Sequence, residues 1–371
     1  MSIHAIPRTL SLLRSGIDSG LHPGAQVYVS LDGRPIVDDA IGIARPNVAM
    51  TRDSLTLWMS AGKPVTAIAV MQLVDRGLIS LDMRIAEVLP PFGVSGKEAI
   101  TLRHLLTHTA GFRGPLNNFT PGTWDEILQR VYALKQEPGW VPGEKAGYHI
   151  GSSWFVLGEI VQRLTGEPFL LEIQSLFRVG DVAFIGLDRD THHSYLLSDR
   201  LALMYDTSKP EPTTDWPGNS EGASQLPRPG ANARGPIRAL GHLYESLMAG
   251  VVPEVGDRWS GPWVLPELLC RQMCSRQRVG MIDHTFKQTL DWGLGVMIDS
   301  KQYAGEHQYG FGPHASADTF GHSGNQSSCA FCDPKHRLIV AWTCNGMPGE
   351  AKHQARASAI NQAIYEDLGL A

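Results

Sequence analysis

Cysteine is scarce: five residues in 371, at Cys270, Cys274, Cys329, Cys332 and Cys344, an odd number that cannot pair completely into disulfides. The first twenty residues, MSIHAIPRTLSLLRSGIDSG, lack a basic run followed by an unbroken apolar core. Reduced thiols and a cytoplasmic setting are therefore expected. Nor does any apolar run approach the ~18 residues needed to span a bilayer. A basic surplus is missing too: 32 Lys and Arg against 37 Asp and Glu leave a formal net charge of -5. That balance offers no electrostatic footprint for nucleic acid or an anionic membrane and points to a small-molecule partner.

Metal signatures are weak. The pairs CRQMC and CAFC contain four of the thiols, but SSCAFCD leads into RLIVAW and reads as a strand, where residues three apart face opposite sides. RHLLTH spaces His104 and His108 one helical turn apart without the intervening glutamate of H-E-x-x-H. Packed, hydrogen-bonded histidines are expected there, and no metal or cofactor.

What is present is ordinary globular composition, 43% hydrophobic and 19% charged, in a chain long enough for a large core in two lobes. Residues 5–19 read as an amphipathic helix. GAQVYVSLDGRPIVDDAIG then places two alternating runs around Asp32-Gly33, a hairpin signal. ITLRHLLTHTAGF, residues 124–134 and SSWFVLGEIVQRLTG have helical periodicity, and proline, glycine and serine accumulate over residues 206–234. IRALGHLYESLMAG is helical again. LDWGLGVMID, CAFCDP and RLIVAWTCN read as strands, with a turn at Asp333 to His336, and the chain closes on a helix. The expected fold class is α+β: an antiparallel sheet flanked by N- and C-terminal helices, with an inserted α-helical lobe. Residues 1–60 and 235–371 form the sheet lobe, and 61–234 the helical lobe, whose boundary segment is 206–234.

One stretch carries chemistry. In WMSAGKPVTAIAVMQLVDRG, Pro64 suits a first helical turn, Val65, Ile68, Leu73 and Val74 recur at helical spacing, and Gly77 supplies a stop. Ser60 and Lys63 thus open a buried helix three residues apart, on one face. Burial disfavours the charged form of Lys63, lowering its pKa as a base requires. A serine at this position is also a common N-cap, and S-x-x-K alone is a weak motif.

Two further segments strengthen it: Tyr148-His149-Ile150 after PGEKAG, and His322-Ser323-Gly324 within FGHSG. With AVMQLVDRGLISLD and ITLRHLLTHTAGF, these segments make nearly the whole chain resemble the serine β-lactamase-like superfamily, with its β-lactamase/transpeptidase-like fold, and most of all the family VIII carboxylesterases. The resemblance implies Ser60 as acylated nucleophile, Lys63 as proton acceptor or relay, and Tyr148 as the tyrosine that exchanges a proton with Ser60 and the leaving group. It implies an oxyanion hole from the N–H groups of Ser60 and Asn325, with His322, Ser323 and Gly324 in the place of the family's K-T-G.

Departures from the family pattern favour esters. His322 lacks the fixed charge with which a lysine attracts a substrate carboxylate, and Ile150 replaces the asparagine of Y-x-N. The expected function is a serine hydrolase acting on carboxylic esters or related acyl substrates. The same residues would serve an acyltransferase or thioesterase-like tailoring enzyme, a D-amino-acid amidase or peptidase, or a weak β-lactamase, and the fold could persist as a non-catalytic binding scaffold. Trp58, Trp154, Phe155 and Trp292 are candidate acyl-pocket residues. LNNFTPGTW (116–124) and the segment from Asp206 are candidate rims.

Overall fold

A computed structural model describes residues 2–115, 119–303 and 310–371 of the chain. The hairpin expected at Asp32-Gly33 forms from β1 (Gly24–Leu31) and β2 (Arg34–Arg45). Asp32 and Gly33 have φ of 53° and 74°, the left-handed pair of a turn whose twist matches that of its strands. Five more strands lie at the other end of the chain. They comprise β4 (Asp291–Trp292), β5 (Met297–Ile298), β6 (Phe320–Gly324), β7 (Ser328–Asp333) and β8 (Leu338–Cys344). With β3 (Val48–Ala49) they make one antiparallel sheet in the order β4-β5-β6-β7-β8-β1-β2-β3. The chain's two ends thus meet at β1 and β8, registered from Ala25 opposite Cys344 to Leu31 opposite Leu338.

LDWGLGVMID is not one strand. Its two glycines turn the chain back, so that Asp291 pairs with Ile298 and Trp292 with Met297. FGHSG is a strand of its own, and only the following hairpin turn leads to Cys329.

Both faces of the sheet are covered, which accounts for its almost unbroken apolar strands. Trp342, Val340 and Leu338 of β8 and Cys329 and Phe331 of β7 pack with Leu10 and Leu13 of α1 (Pro7–Asp18). Ile360, Ile364 and Tyr365 of the C-terminal helix Glu350–Asp367 join the same cluster. The alternate residues Ile339, Ala341, Ala330 and Cys332 join Leu240, Leu243, Tyr244 and Leu247 of helix Ile237–Val251. The expected terminal helices cover one face, and this third layer covers the other. Cys329 and Cys332 therefore belong to different clusters, and all five thiols are free and buried. Among the described residues no helix is long and apolar enough to cross a membrane.

The helical part lies between the hairpins in sequence. It includes α2 (Lys63–Asp75) and α3 (Ser152–Thr165), and the short helices Leu102–Leu106 and Trp124–Ala133. From Lys63 to Met71 every residue of α2 is buried, because the helix runs through the cluster that also holds Ile339 and Ala341.

Candidate active site

The nucleophile candidate is held by strain and close packing. Ser60 does not begin α2; it sits in a 3-10 turn, Met59–Gly62, which leads into the helix at Lys63. Met59 has φ of 51°, left-handed backbone that a bulky residue adopts only when its surroundings enforce it. Those surroundings are visible: Trp58 N–H donates to Ala233 O at 2.8 Å, and Ser328 Oγ donates to Trp58 O at 2.6 Å.

Lys63 is wholly buried. Its Nζ stands 3.0 Å from Ser60 Oγ and donates to the carbonyls of Ile150 at 3.0 Å and Gly230 at 2.5 Å. It also lies 5.2 Å from the ring centres of both Tyr148 and Trp154. Among the described residues no carboxylate pairs with it, and burial pushes it well below the ordinary lysine range. The lowered pKa expected from sequence has this cause.

Tyr148 lies in an irregular stretch just before α3, its peptide gripped on both sides. Its N–H donates to Asp283 Oδ1 at 3.0 Å, and Thr285 Oγ1 donates to its carbonyl at 2.9 Å. Phe286 packs against the ring with centroids 4.8 Å apart. On another side stands His108, at 4.6 Å, whose Nδ1 accepts from His149 N–H at 3.1 Å. His108 does not share a helical face with His104. The helix ends at Leu106, His108 has φ of 57°, and His104 Nδ1 instead caps the helix by accepting from Thr101 N–H.

His322, in β6, is buried against Tyr148 and Trp292. Its Nδ1 donates to Ser323 O at 2.6 Å, so the proton is on Nδ1; Nε2 is buried and has no partner among the described residues. Burial, and then the neighbouring Lys63, push it down to about 3. Gly324 is required for a reason absent from the sequence. A Cβ there would meet Ser328 Oγ at 2.2 Å and Trp58 O at 2.4 Å, so the chain leading into the Ser60 turn itself presses on this strand.

Ser60, Tyr148, Ile150, His322, Ser323, Gly324 and Asn325 all line one cavity of about 470 Å³. Its apolar wall is not the expected one. Trp58, Trp154 and Trp292 are fully buried core residues and Phe155 nearly so, and none of them lines the cavity. Phe119, Trp216 and Phe286 do, with Met59 and Pro217. Trp216 and Pro217 belong to the Pro/Gly-rich segment expected to form a rim, and Phe119 to the other; Leu116, Asn117 and Asn118 of that rim lie outside the described residues. Sequence reasoning reached Phe119 and Trp216 only through their rim segments and overlooked Phe286 and Asp283, since nothing local distinguishes them. Among the described lining residues one bears a formal charge, Glu350, in the first turn of the C-terminal helix. Among the described residues no group of three or more His, Cys, Asp or Glu is placed to hold a metal ion.

The Beta-lactamase family model matches residues 11–364. Esterase EstB of Burkholderia gladioli is 27% identical over 337 residues, 81% of each chain. Esterase/beta-lactamase LipL of Mycobacterium tuberculosis is 32% identical over 153 residues, 40% of this chain and only 35% of that relative's length. A crystal structure of a family VIII carboxylesterase superposes with a TM-score of 0.76 at 23% identity, covering 99% of this chain and 98% of the other.

Proposed function

The chain belongs to the beta-lactamase family, and on that premise we propose that it is a serine hydrolase of carboxylic esters working through an acyl-Ser60 intermediate. The observation that carries this is the setting of Lys63. A neutral amine has two N–H bonds and one lone pair. The carbonyls of Ile150 and Gly230 take the two N–H bonds, which leaves the lone pair for the Ser60 hydroxyl 3.0 Å away. Lys63 thus acts as base without a carboxylate.

In acylation, Ser60 Oγ attacks the ester carbonyl carbon as its proton passes to the Lys63 and Tyr148 pair. The oxyanion is met by the N–H groups of Ser60 and Asn325. The C–O bond to the alcohol then breaks, and the departing oxygen recovers the proton, through Tyr148, from the same pair. Water repeats the sequence on acyl-Ser60: its proton goes to the pair, its oxygen to the acyl carbon, and Ser60 Oγ takes the proton back. Lys63 and Tyr148 titrate as one coupled unit in this scheme.

The substrate is an uncharged or cationic ester rather than a carboxylate-bearing β-lactam. Neutral His322 offers no counter-charge, the charged lining residue Glu350 is acidic, and Ile150 presents no amide. The apolar wall of Phe119, Trp216 and Phe286 suits an acyl chain or aromatic alcohol. It would equally hold an alcohol acceptor, and acyl transfer is the second reading.

Ser60→Ala compared with wild type on short- and medium-chain p-nitrophenyl esters, beside a chromogenic cephalosporin and intact-mass measurement, tests the proposal. Ester turnover and an acyl adduct are expected in wild type, both lost in Ser60→Ala by ~10³-fold or more. Equal efficiency on the cephalosporin would overturn the assignment of substrate class.

A further inference from the structure

Tyr148 can serve the Ser60–Lys63 pair only if its phenol is held in place, yet it belongs to no helix or strand. A separate element supplies the hold. Asp283 begins a tight hairpin, Ile282–Asp283 paired with Gln288–Thr289, and its carboxylate is fully buried. Oδ1 accepts three main-chain N–H groups, from Tyr148 at 3.0 Å, Thr285 at 2.9 Å and Phe286 at 3.2 Å. Oδ2 faces the buried Arg278 guanidinium at 3.2 Å. Arg278 in turn donates to Thr107 O at 3.1 Å, next to His108, and lies 5.1 Å from the Trp292 ring. Its Nε and Nη2 each donate to Leu290 O.

Three main-chain N–H groups converge on one carboxylate oxygen, and the Arg278 guanidinium stands against the other in the interior. The hairpin then grips Tyr148 three times: at its N–H through Asp283, at its carbonyl through Thr285, and at its ring through Phe286. The ring also meets His108, next to the Thr107 carbonyl that the same Arg278 holds.

We propose that Asp283, with Arg278 as its counter-ion, is a positioning residue that sets the catalytic placement of Tyr148. It does not line the cavity, and its effect on acylation of Ser60 passes through the tyrosine. The inference rests on the reading of Tyr148 as the proton-exchanging residue. Displacing a catalytic group by about 1 Å costs on the order of 10²-fold in rate, which sets the scale of the effect.

The test is a double-mutant cycle of Asp283→Asn and Tyr148→Phe, read as single-turnover acylation of Ser60 by p-nitrophenyl acetate with thermal unfolding measured alongside. Asp283→Asn alone should slow acylation ~10- to 100-fold. Tyr148→Phe alone should slow it further, and the double variant should be no slower than Tyr148→Phe. A full second loss in the double variant, or no loss in Asp283→Asn, would overturn the inference while leaving the proposed function intact. Acylation indifferent to Tyr148→Phe would instead overturn the reading beneath it. If Asp283→Asn does not fold, Thr285→Val takes its place in the cycle, with the same expectation and the same contrary result. That variant removes the hydroxyl that donates to Tyr148 O and accepts from Arg113.

Discussion

The hydroxyl of Ser328 donates to the carbonyl of Trp58 at 2.6 Å, across 270 residues of chain. This bond fastens the β6–β7 hairpin to the strained turn that presents Ser60, and it makes the spacing between Ser60 and the strand edge a property of the packed molecule. Gly324 completes the joint, since its missing side chain is where Trp58 O and Met59 come to rest.

Gly324→Ala should therefore damage activity more than stability. A methyl group 2.4 Å from a main-chain oxygen cannot be relieved by side-chain rotation, so the strand and the Ser60 turn must part. We expect a loss of ~10²-fold or more in kcat/KM with a folded protein by circular dichroism. Ser328→Ala, which leaves the Trp58 carbonyl without this donor, should cost about 1–3 kcal/mol in urea unfolding. Wild-type kcat/KM in Gly324→Ala would show that the joint does not set the catalytic geometry.

Activity should rise with pH through the titration of Lys63. In acid the amine is protonated and has no lone pair for Ser60, and burial places that titration well below the ordinary lysine range. His322 is neutral down to about 3 and does not contribute. The pH profile of kcat/KM should show one acid limb, unchanged in position in His322→Gln. Disappearance of the limb in that variant would assign it to the histidine.

Stability should fall steeply in mild acid. Burial holds His22, His149, His322 and His353 each at about 3, and His108 well below its usual value. These folded-state values lie below the ~6.5 of an unfolded histidine, so the unfolded chain binds more protons as pH drops from 6.5 toward 3. Each histidine contributes up to ~1.4 kcal/mol of lost stability per pH unit in that window. Urea unfolding at pH 7, 6, 5 and 4 checks this; a flat midpoint would contradict the neutral, buried assignment.

Native thiols should be inert. All five cysteines are buried, and burial raises Cys270 and Cys329 to about 12. An aromatic disulfide reagent should titrate none of them in the folded protein and five after denaturation. A chelator should leave ester turnover unchanged, because Cys329 and Cys332 face opposite sides of β7 and the His104 Nδ1 lone pair caps a helix. Loss on chelation with rescue by zinc would refute this.

Much was legible in local pattern. Asp32-Gly33 announced a hairpin because few residue pairs tolerate two left-handed conformations in succession. Alternation in SSCAFCD separated its two thiols, since the strand repeat is two. Ser60 and Lys63 were readable together because one helical turn spans three residues, although the structure puts Ser60 in a 3-10 turn just ahead of the helix. Reading LDWGLGVMID as one strand failed because two glycines outweighed the apolar run. The cavity wall was misread for a related reason: aromatic residues in apolar runs, such as Trp154, go to the core, whereas Phe119 and Trp216 sit in irregular segments that periodicity does not describe.

The sequence by itself determined the element types, the covered sheet built from both ends of the chain, and the family, because these follow from short-range periodicity and from residue types at set spacings. Only the tertiary structure decided which side chains line the cavity, why Gly324 admits no side chain, and how Tyr148 is held. Those depend on contacts such as Trp58 with Ser328 and Tyr148 with Asp283, whose partners lie more than a hundred residues apart. No local pattern encodes such pairs; packing in the folded chain selects them.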